Sequence, residues 1–445
     1  MSSRSNSTFY SQEDIRVRDD DFVVCLKFKH VNSNGIWAGH NPLEFVLPVM
    51  MLQVFLAFFV SRAVYFVLRP LKQPKFVCNV LGGILLGPSV LGQSQVIREK
   101  LFPPIEMFVL NMMATVGTLY FVFLIAVKMD ISMILRTARK AWSVGLAGLM
   151  LPFLTLLFLI YSNLKRLPGV KHIVFPFLFA SCLSVSFFPV VAFALEELNL
   201  ITSELGQLAL TSAIVNEVIL WFFLSLYMIF NETRVLQAIG TPLAFFTLVF
   251  FTLFVVRPAI VGMAKKIPEG RAVLEVYVVL ILVGVLVMTF ITDMLGTSII
   301  YGALLLGFIV PDGPPLGSIL VEKTELFVSE FFMPLFFVLV GYEIDISAIK
   351  NWKAFATLQG IIFVGYFAKF VGVVLTSVSF KIRPKHTLFL GLILNTRGVV
   401  ELIYSYRWKV GKLLDQQSYA AIVLSTLAIT AVVTPLADSL YNAIN

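Results

Sequence analysis

Runs of about 20 consecutive apolar residues, the length a helix needs to cross the ~30 Å hydrocarbon core of a bilayer, recur from Leu43 to the end of the chain. About thirteen can be drawn on this length criterion, at 43–69, 76–97, 105–127, 141–162, 173–195, 205–230, 243–264, 272–292, 295–310, 325–342, 355–379, 385–405 and 417–437. The stretch 272–310 reads equally as one long span or two short ones. Of the 445 residues 58% are hydrophobic and only 13% charged, against roughly a quarter charged in soluble domains. The pattern therefore specifies an all-α polytopic membrane protein. Residues 1–42 form a polar tail, with Asp19-Asp20-Asp21 and no apolar core of a cleaved signal peptide, so the first helix directs insertion. Residues 43–445 are then the transmembrane domain.

The remaining composition excludes several classes. A net charge of +8 spread over loops, without a block of like charge, gives nucleic acid no purchase. Cys25, Cys78 and Cys182 are scattered, and none of the four histidines lies in a ligand-spaced pair. That pattern supplies neither a disulfide framework nor a metal centre, and no cofactor is expected. No nucleophile–base pair is evident either, which argues against an enzyme.

Charge-capable groups inside apolar runs mark where the chemistry lies. Phe188-Pro189-Val190 interrupts the run 175–195, and proline within a helix removes a donor and clashes with the preceding turn. Asn216-Glu217 sits in the middle of the next run. A carboxylate at mid-membrane depth is expensive and points to an ion or proton path. Ionising it there costs hydration, so a proton and a dehydrated monovalent cation compete for it, and the Asn216 carbonyl oxygen can help coordinate the cation. The other reading of Glu217 is a structural ion-pair partner in a protein that does not transport.

An internal repeat organises the spans. Gly82-Gly83-Ile84-Leu85-Leu86-Gly87 in the second run answers Gly302-Ala303-Leu304-Leu305-Leu306-Gly307 in the ninth. Leu124-Ile125-Ala126-Val127-Lys128-Met129-Asp130-Ile131-Ser132 answers Leu339-Val340-Gly341-Tyr342-Glu343-Ile344-Asp345-Ile346-Ser347. The run broken near Pro189 then answers the twelfth, interrupted by Leu394-Asn395-Thr396-Arg397-Gly398-Val399-Val400-Glu401. Corresponding spans are seven apart, an odd number, so the second unit must be upside down relative to the first. The expectation is an inverted five-helix repeat, units about 76–230 and 295–437, each with one interrupted helix and the site where the breaks meet.

These residues resemble a known family. Leu81-Gly82-Gly83-Ile84-Leu85-Leu86-Gly87-Pro88-Ser89-Val90-Leu91-Gly92 is similar to the second-helix signature of the cation/proton antiporter-2 superfamily. Gly35-Ile36-Trp37-Ala38-Gly39-His40-Asn41-Pro42-Leu43, Pro334-Leu335-Phe336-Phe337-Val338 and the segment around Asn395-Thr396-Arg397-Gly398 resemble its plant branch, the cation/H+ exchangers (CHX family). The resemblance implies an NhaA-like fold that exchanges a monovalent cation, usually potassium, for protons. Its partners would be potassium or sodium ions, protons and membrane lipid, in a homodimer of the endomembrane or plasma membrane. Plant members also carry a long hydrophilic C-terminal region; this chain stops at Asn445, which is read as a transporter core alone or an incomplete product.

Three departures from the family pattern leave alternatives open. Asn216-Glu217 stands where Asn-Asp is usual, Arg397 where lysine is usual, and Lys128 where an acid is usual. Arg397 either offsets the partial charges of half-helix ends or pairs with Glu401 one turn on, and its guanidinium cannot carry a transported proton. Glu401, Lys128 and Glu343 are secondary candidates; Lys128 and Glu343 lie at span ends, where long side chains snorkel. Lys369, inside a span, is expected to snorkel or pair. With one exchangeable carboxylate, exchange is expected to be electroneutral; the alternatives are a cation channel or a transport-inactive scaffold or sensor. Loop charges lean towards a cytosolic C-terminus, with the sequons at Asn6 and Asn231 on the other side.

Overall fold

In the computed structural model the described residues are 15–19, 22–26, 31–33, 35–71, 73–94, 100–128, 131–163, 175–231, 235–265, 275–311, 313–314, 316–346, 349, 351–398, 400–402, 404–405 and 416–442. Within the polar tail, β1 (Ile15–Asp19) pairs antiparallel with β2 (Phe22–Leu26), Ile15 opposite Leu26. The helices follow in order: α1 (Val46–Leu68), α2 (Lys75–Leu86), α3 (Pro104–Val127), α4 (Ile131–Asn163), α5 (Phe175–Ser184) and α6 (Phe188–Glu197). Next come α7 (Glu204–Asn231), α8 (Val235–Phe251), α9 (Arg257–Lys265), α10 (Glu275–Met294) and α11 (Ile299–Ile309). The chain finishes with α12 (Leu316–Phe327), α13 (Met333–Tyr342), α14 (Trp352–Ser379), α15 (Pro384–Ile393) and α16 (Gln416–Asn442). The π-helical turns Thr252–Val256 and Val328–Phe332 join α8 to α9 and α12 to α13 into continuous rods.

Ten segments among the described residues are long and apolar enough to cross a membrane, and the protein is an integral membrane protein. The expected count of thirteen is not reproduced on this criterion, partly because Ile299–Ile309 and α15 are short. The run 272–310 resolves into two helices, α10 and α11. Asp130, Ser347, Asn6 and much of the tail lie outside the described residues.

Contacts come in duplicate, as a repeat requires. α2 packs on α13 as α11 packs on α3; α5 and α7 lie on α4 as α15 and α16 lie on α14; α4 crosses α14 between them. The glycine motifs explain the first of these pairs. A Cβ on Gly83 would collide with the Val338 carbonyl oxygen, and one on Gly341 with that of Val80, so α2 and α13 meet backbone to backbone. Gly302 and Gly307 play the same part in α11, against Met288 of α10 and Phe123 of α3.

Two bodies result. α4, α5, α6, α7, α14, α15 and α16 pack on one another, and α1, α2, α3, α10, α11, α12 and α13 on one another. Between them the main helix contacts are α3 with α6 and α16 with α2, while α8 and its π-helical continuation run from α7 to α11. Segment 176–197 is almost wholly buried, whereas 46–71 is largely exposed, so the broken helix is central and α1 lies on the outside.

Candidate functional site

The site is built from what two broken helices leave unsatisfied. A helix end strands carbonyls on one side and N–H groups on the other, and in lipid each needs a partner. The first break covers residues 185–187, between α5 and α6. It precedes the expected position: Pro189 is the second residue of α6, where its missing N–H costs nothing, so proline opens a helix rather than interrupting one.

Cations satisfy the carbonyls at the end of α5. Arg397 donates through one guanidinium nitrogen to Val185 O (2.7 Å) and through the other to Leu183 O, and Lys369 Nζ donates to Ser184 O (2.8 Å). Both side chains are fully buried, so Lys369 does not snorkel. Arg397 also reaches Glu401 Oε1 at 3.1 Å and lies 4.7 Å over the Tyr366 ring. It thus contacts both the carbonyls at the helix end and the Glu401 carboxylate.

Asn216 and Glu217 on α7 serve the N–H groups. Glu217 Oε1 accepts from Phe188 N, the first N–H of α6, at 2.8 Å. Asn216, with its amide oriented to satisfy both ends, donates to Gly145 O of α4 (2.7 Å) and accepts from Ser186 N (3.3 Å). Its amide is committed to holding the break. Asn216 is buried beside the break and is not among the residues lining the large cavity described below.

The second break repeats the design. α15 ends at Ile393, Asn395 Nδ2 donates to Tyr366 O (3.1 Å), and Thr396 Oγ1 bonds back to Ile393 O (2.6 Å). Glu401 Oε2 accepts from Gly398 N at 3.1 Å, as Glu217 does from Phe188 N. Ser186 Oγ donates to Leu394 O (2.6 Å) and joins the two breaks directly.

One difference separates the two carboxylates. Glu401 is buried in an ion pair with Arg397, whereas Glu217 has no ion pair among the described residues. Instead, Glu217 borders a cavity of about 570 Å³. That cavity runs from the helix ends marked by Met107, Ser298 and Glu343 down to Phe187 and Pro189 between the two bodies. Tyr301 and Tyr404 stand in its wall with Glu217. On the opposite side a space of only about 30 Å³ touches Arg397, Thr396 and Gly398, with Thr118 and Pro189 bordering both cavities.

Of the secondary candidates, Glu343 lines the large cavity towards the helix ends. Lys128, one of the three departures, lies elsewhere, bonded to Glu196 and Glu325. Burial alone would lower its pKa, but the two carboxylates outweigh this and hold it above the usual lysine value. Lys369 is the site residue the sequence reading left unassigned. Its depth was the available signal: it lies about 15 Å along the helix from the nearer end of α14, beyond the reach of snorkelling.

Residues 54–438 match the family described as sodium/hydrogen exchanger, transmembrane. The chain belongs to this exchanger family. It is 37% identical over 430 residues to cation/H(+) antiporter 15 of Arabidopsis thaliana, covering 96% of this chain and 52% of that protein. Cation/H(+) antiporter 17 of the same plant is 36% identical over 425 residues, covering 94% and 52%. The exchanger chain thus spans about half the length of these curated relatives. A solved structure of the sodium proton antiporter MjNhaP1 from Methanocaldococcus jannaschii matches with a TM-score of 0.62 at 16% identity. It covers 89% of this chain and 97% of that one, a likeness of fold.

Proposed function

We propose that this chain exchanges a monovalent cation, potassium, for a proton at Glu217, one for one. The observation that carries the reading is the contrast between the two carboxylates: Glu401 is neutralised by Arg397, while Glu217 borders the large cavity without an ion pair among the described residues. Burying a lone carboxylate costs several kcal/mol, so Glu217 needs either a proton or a cation from the cavity. In this reading Arg397, always protonated, and Lys369, bonded to Ser184 O, keep one charge state through the cycle. Only Glu217 then changes occupancy, which makes the cycle electroneutral. Resemblance to the plant exchangers favours potassium.

The two unequal cavities on either side of Pro189 suit rocking of one body against the other, so that Glu217 is reached from one side at a time. A homodimer is the assembly we propose, to be read by cross-linking in the membrane. The exchange test is flux in proteoliposomes with potassium, sodium and an internal pH dye. Potassium entry coupled to proton exit is expected. Cation flux indifferent to a proton gradient would mean a channel, and no flux a scaffold.

A further inference from the structure

Where the large cavity is absent, the two bodies are held together by specific contacts. Lys128 caps the end of α3 and donates to Glu196 Oε1 (2.6 Å) of α6 in the other body, and to Glu325 Oε1 (2.8 Å) of α12 in its own. Beside it, Lys75 N of α2 donates to Glu197 Oε1 (2.6 Å) of α6, and Gln73 Nε2 donates to Ala431 O (3.2 Å) of α16. Behind these lies an aromatic plug, Phe121 against Phe193 and Phe193 against Phe337, with ring centroids 5.7 and 5.4 Å apart. The small cavity lies just inside it.

These contacts are not equivalent. The Lys75 N–H and Gln73 bonds are local and neutral on one side, but Lys128 is the cation between two carboxylates that belong to different bodies. With the ammonium in place, Glu196 and Glu325 are bridged; without it, the two carboxylates face each other across the seam with no cation between them. The seam is half-buried, the Lys128 and Glu196 side chains being 18% and 21% exposed, so solvent screens the interaction only in part.

We propose that Lys128 is the latch of this face: its ammonium ties α6 of one body to α12 of the other, and the pair with Glu196 must separate before Glu217 can be reached from this side. The latch draws its purpose from the exchange reading above. Its test, however, involves no transported ion, so failure of one leaves the other standing.

Thr434 supplies the reporter. It lines the small cavity, is buried, and its hydroxyl has no hydrogen-bond partner among the described residues. In the full chain carrying Thr434→Cys, reconstituted in proteoliposomes, maleimide labelling is followed peptide by peptide. The buried native Cys182 serves as the reference. Adding Lys128→Gln is expected to raise labelling at position 434 about fivefold, the population change that follows from losing one such ion pair. Glu325→Gln on top of Lys128→Gln should bring it part-way back, by removing one of the two facing charges. The reversed pair Lys128→Glu with Glu196→Lys should restore slow labelling. If Lys128→Gln does not fold, Glu196→Gln opens the same seam while leaving Lys128 bonded to Glu325. Unchanged labelling in the well-folded single variants, or equally fast labelling in the reversed pair, overturns the proposal.

Discussion

Arg397→Met strands Glu401. In the intact protein the Arg397–Glu401 pair is fully buried at 3.1 Å, and the same guanidinium satisfies Leu183 O and Val185 O. Removing one partner of a buried pair costs about 3–5 kcal/mol, because the other charge is left uncompensated. Each abandoned carbonyl adds about 1–3 kcal/mol if it stays dry. The small cavity touching Arg397 has room for a water, however, so the charge dominates and about 4 kcal/mol is expected. For 445 residues the usual size scaling converts this to about 4 °C of unfolding midpoint. Adding Glu401→Gln removes the stranded charge yet keeps an oxygen for Gly398 N, and should recover most of the loss. The assay is the thermal midpoint of the detergent-solubilised protein followed by monodisperse elution. A double variant no more stable than the single one would refute the reasoning, because the penalty would then not be the lone carboxylate.

Three further expectations can be tested. Gly83→Ala drives a methyl into the Val338 carbonyl and should cost about 1–3 kcal/mol, read as a lower midpoint. Gly360→Ala, whose Cβ meets nothing within 4 Å, should be neutral in the same assay. The reversal condition for exchange should be identical at two clamped potentials, since the field acts at about 2.3 kcal/mol per net charge per 100 mV and a one-for-one cycle moves none. A shift with voltage would mean that Lys369 or Glu343 also changes charge.

Features carried by a single segment were legible in the sequence; those made by two distant ones were not. Apolar runs of membrane-crossing length announce helices, because hydropathy is summed locally. The Gly82-Gly83 and Gly302–Gly307 motifs announced close packing, though only the structure pairs Gly83 with Gly341. Glu217 stood out as a candidate because a carboxylate in an apolar run has few structural uses, and the structure places it at the edge of the large cavity. The partner of Lys369 was not legible, because it is a backbone carbonyl, Ser184 O, 185 residues away. The position of the first break was missed by a few residues, since proline is as much at home starting a helix as interrupting one. Asn216 was read as a ligand because an amide oxygen suits a cation. Its use in bridging Gly145 O and Ser186 N depends on how α4 and α7 cross.

The central claim is that Glu217 is the group a proton and a cation share. Glu217→Gln keeps an oxygen that can accept from Phe188 N, so the break should stay capped and the fold intact. The decisive measurement is potassium-driven proton movement by this variant in proteoliposomes, beside the parent at equal protein content. The account predicts no coupled movement from a variant whose elution and thermal midpoint match the parent. Normal exchange by a well-folded Glu217→Gln protein would contradict it.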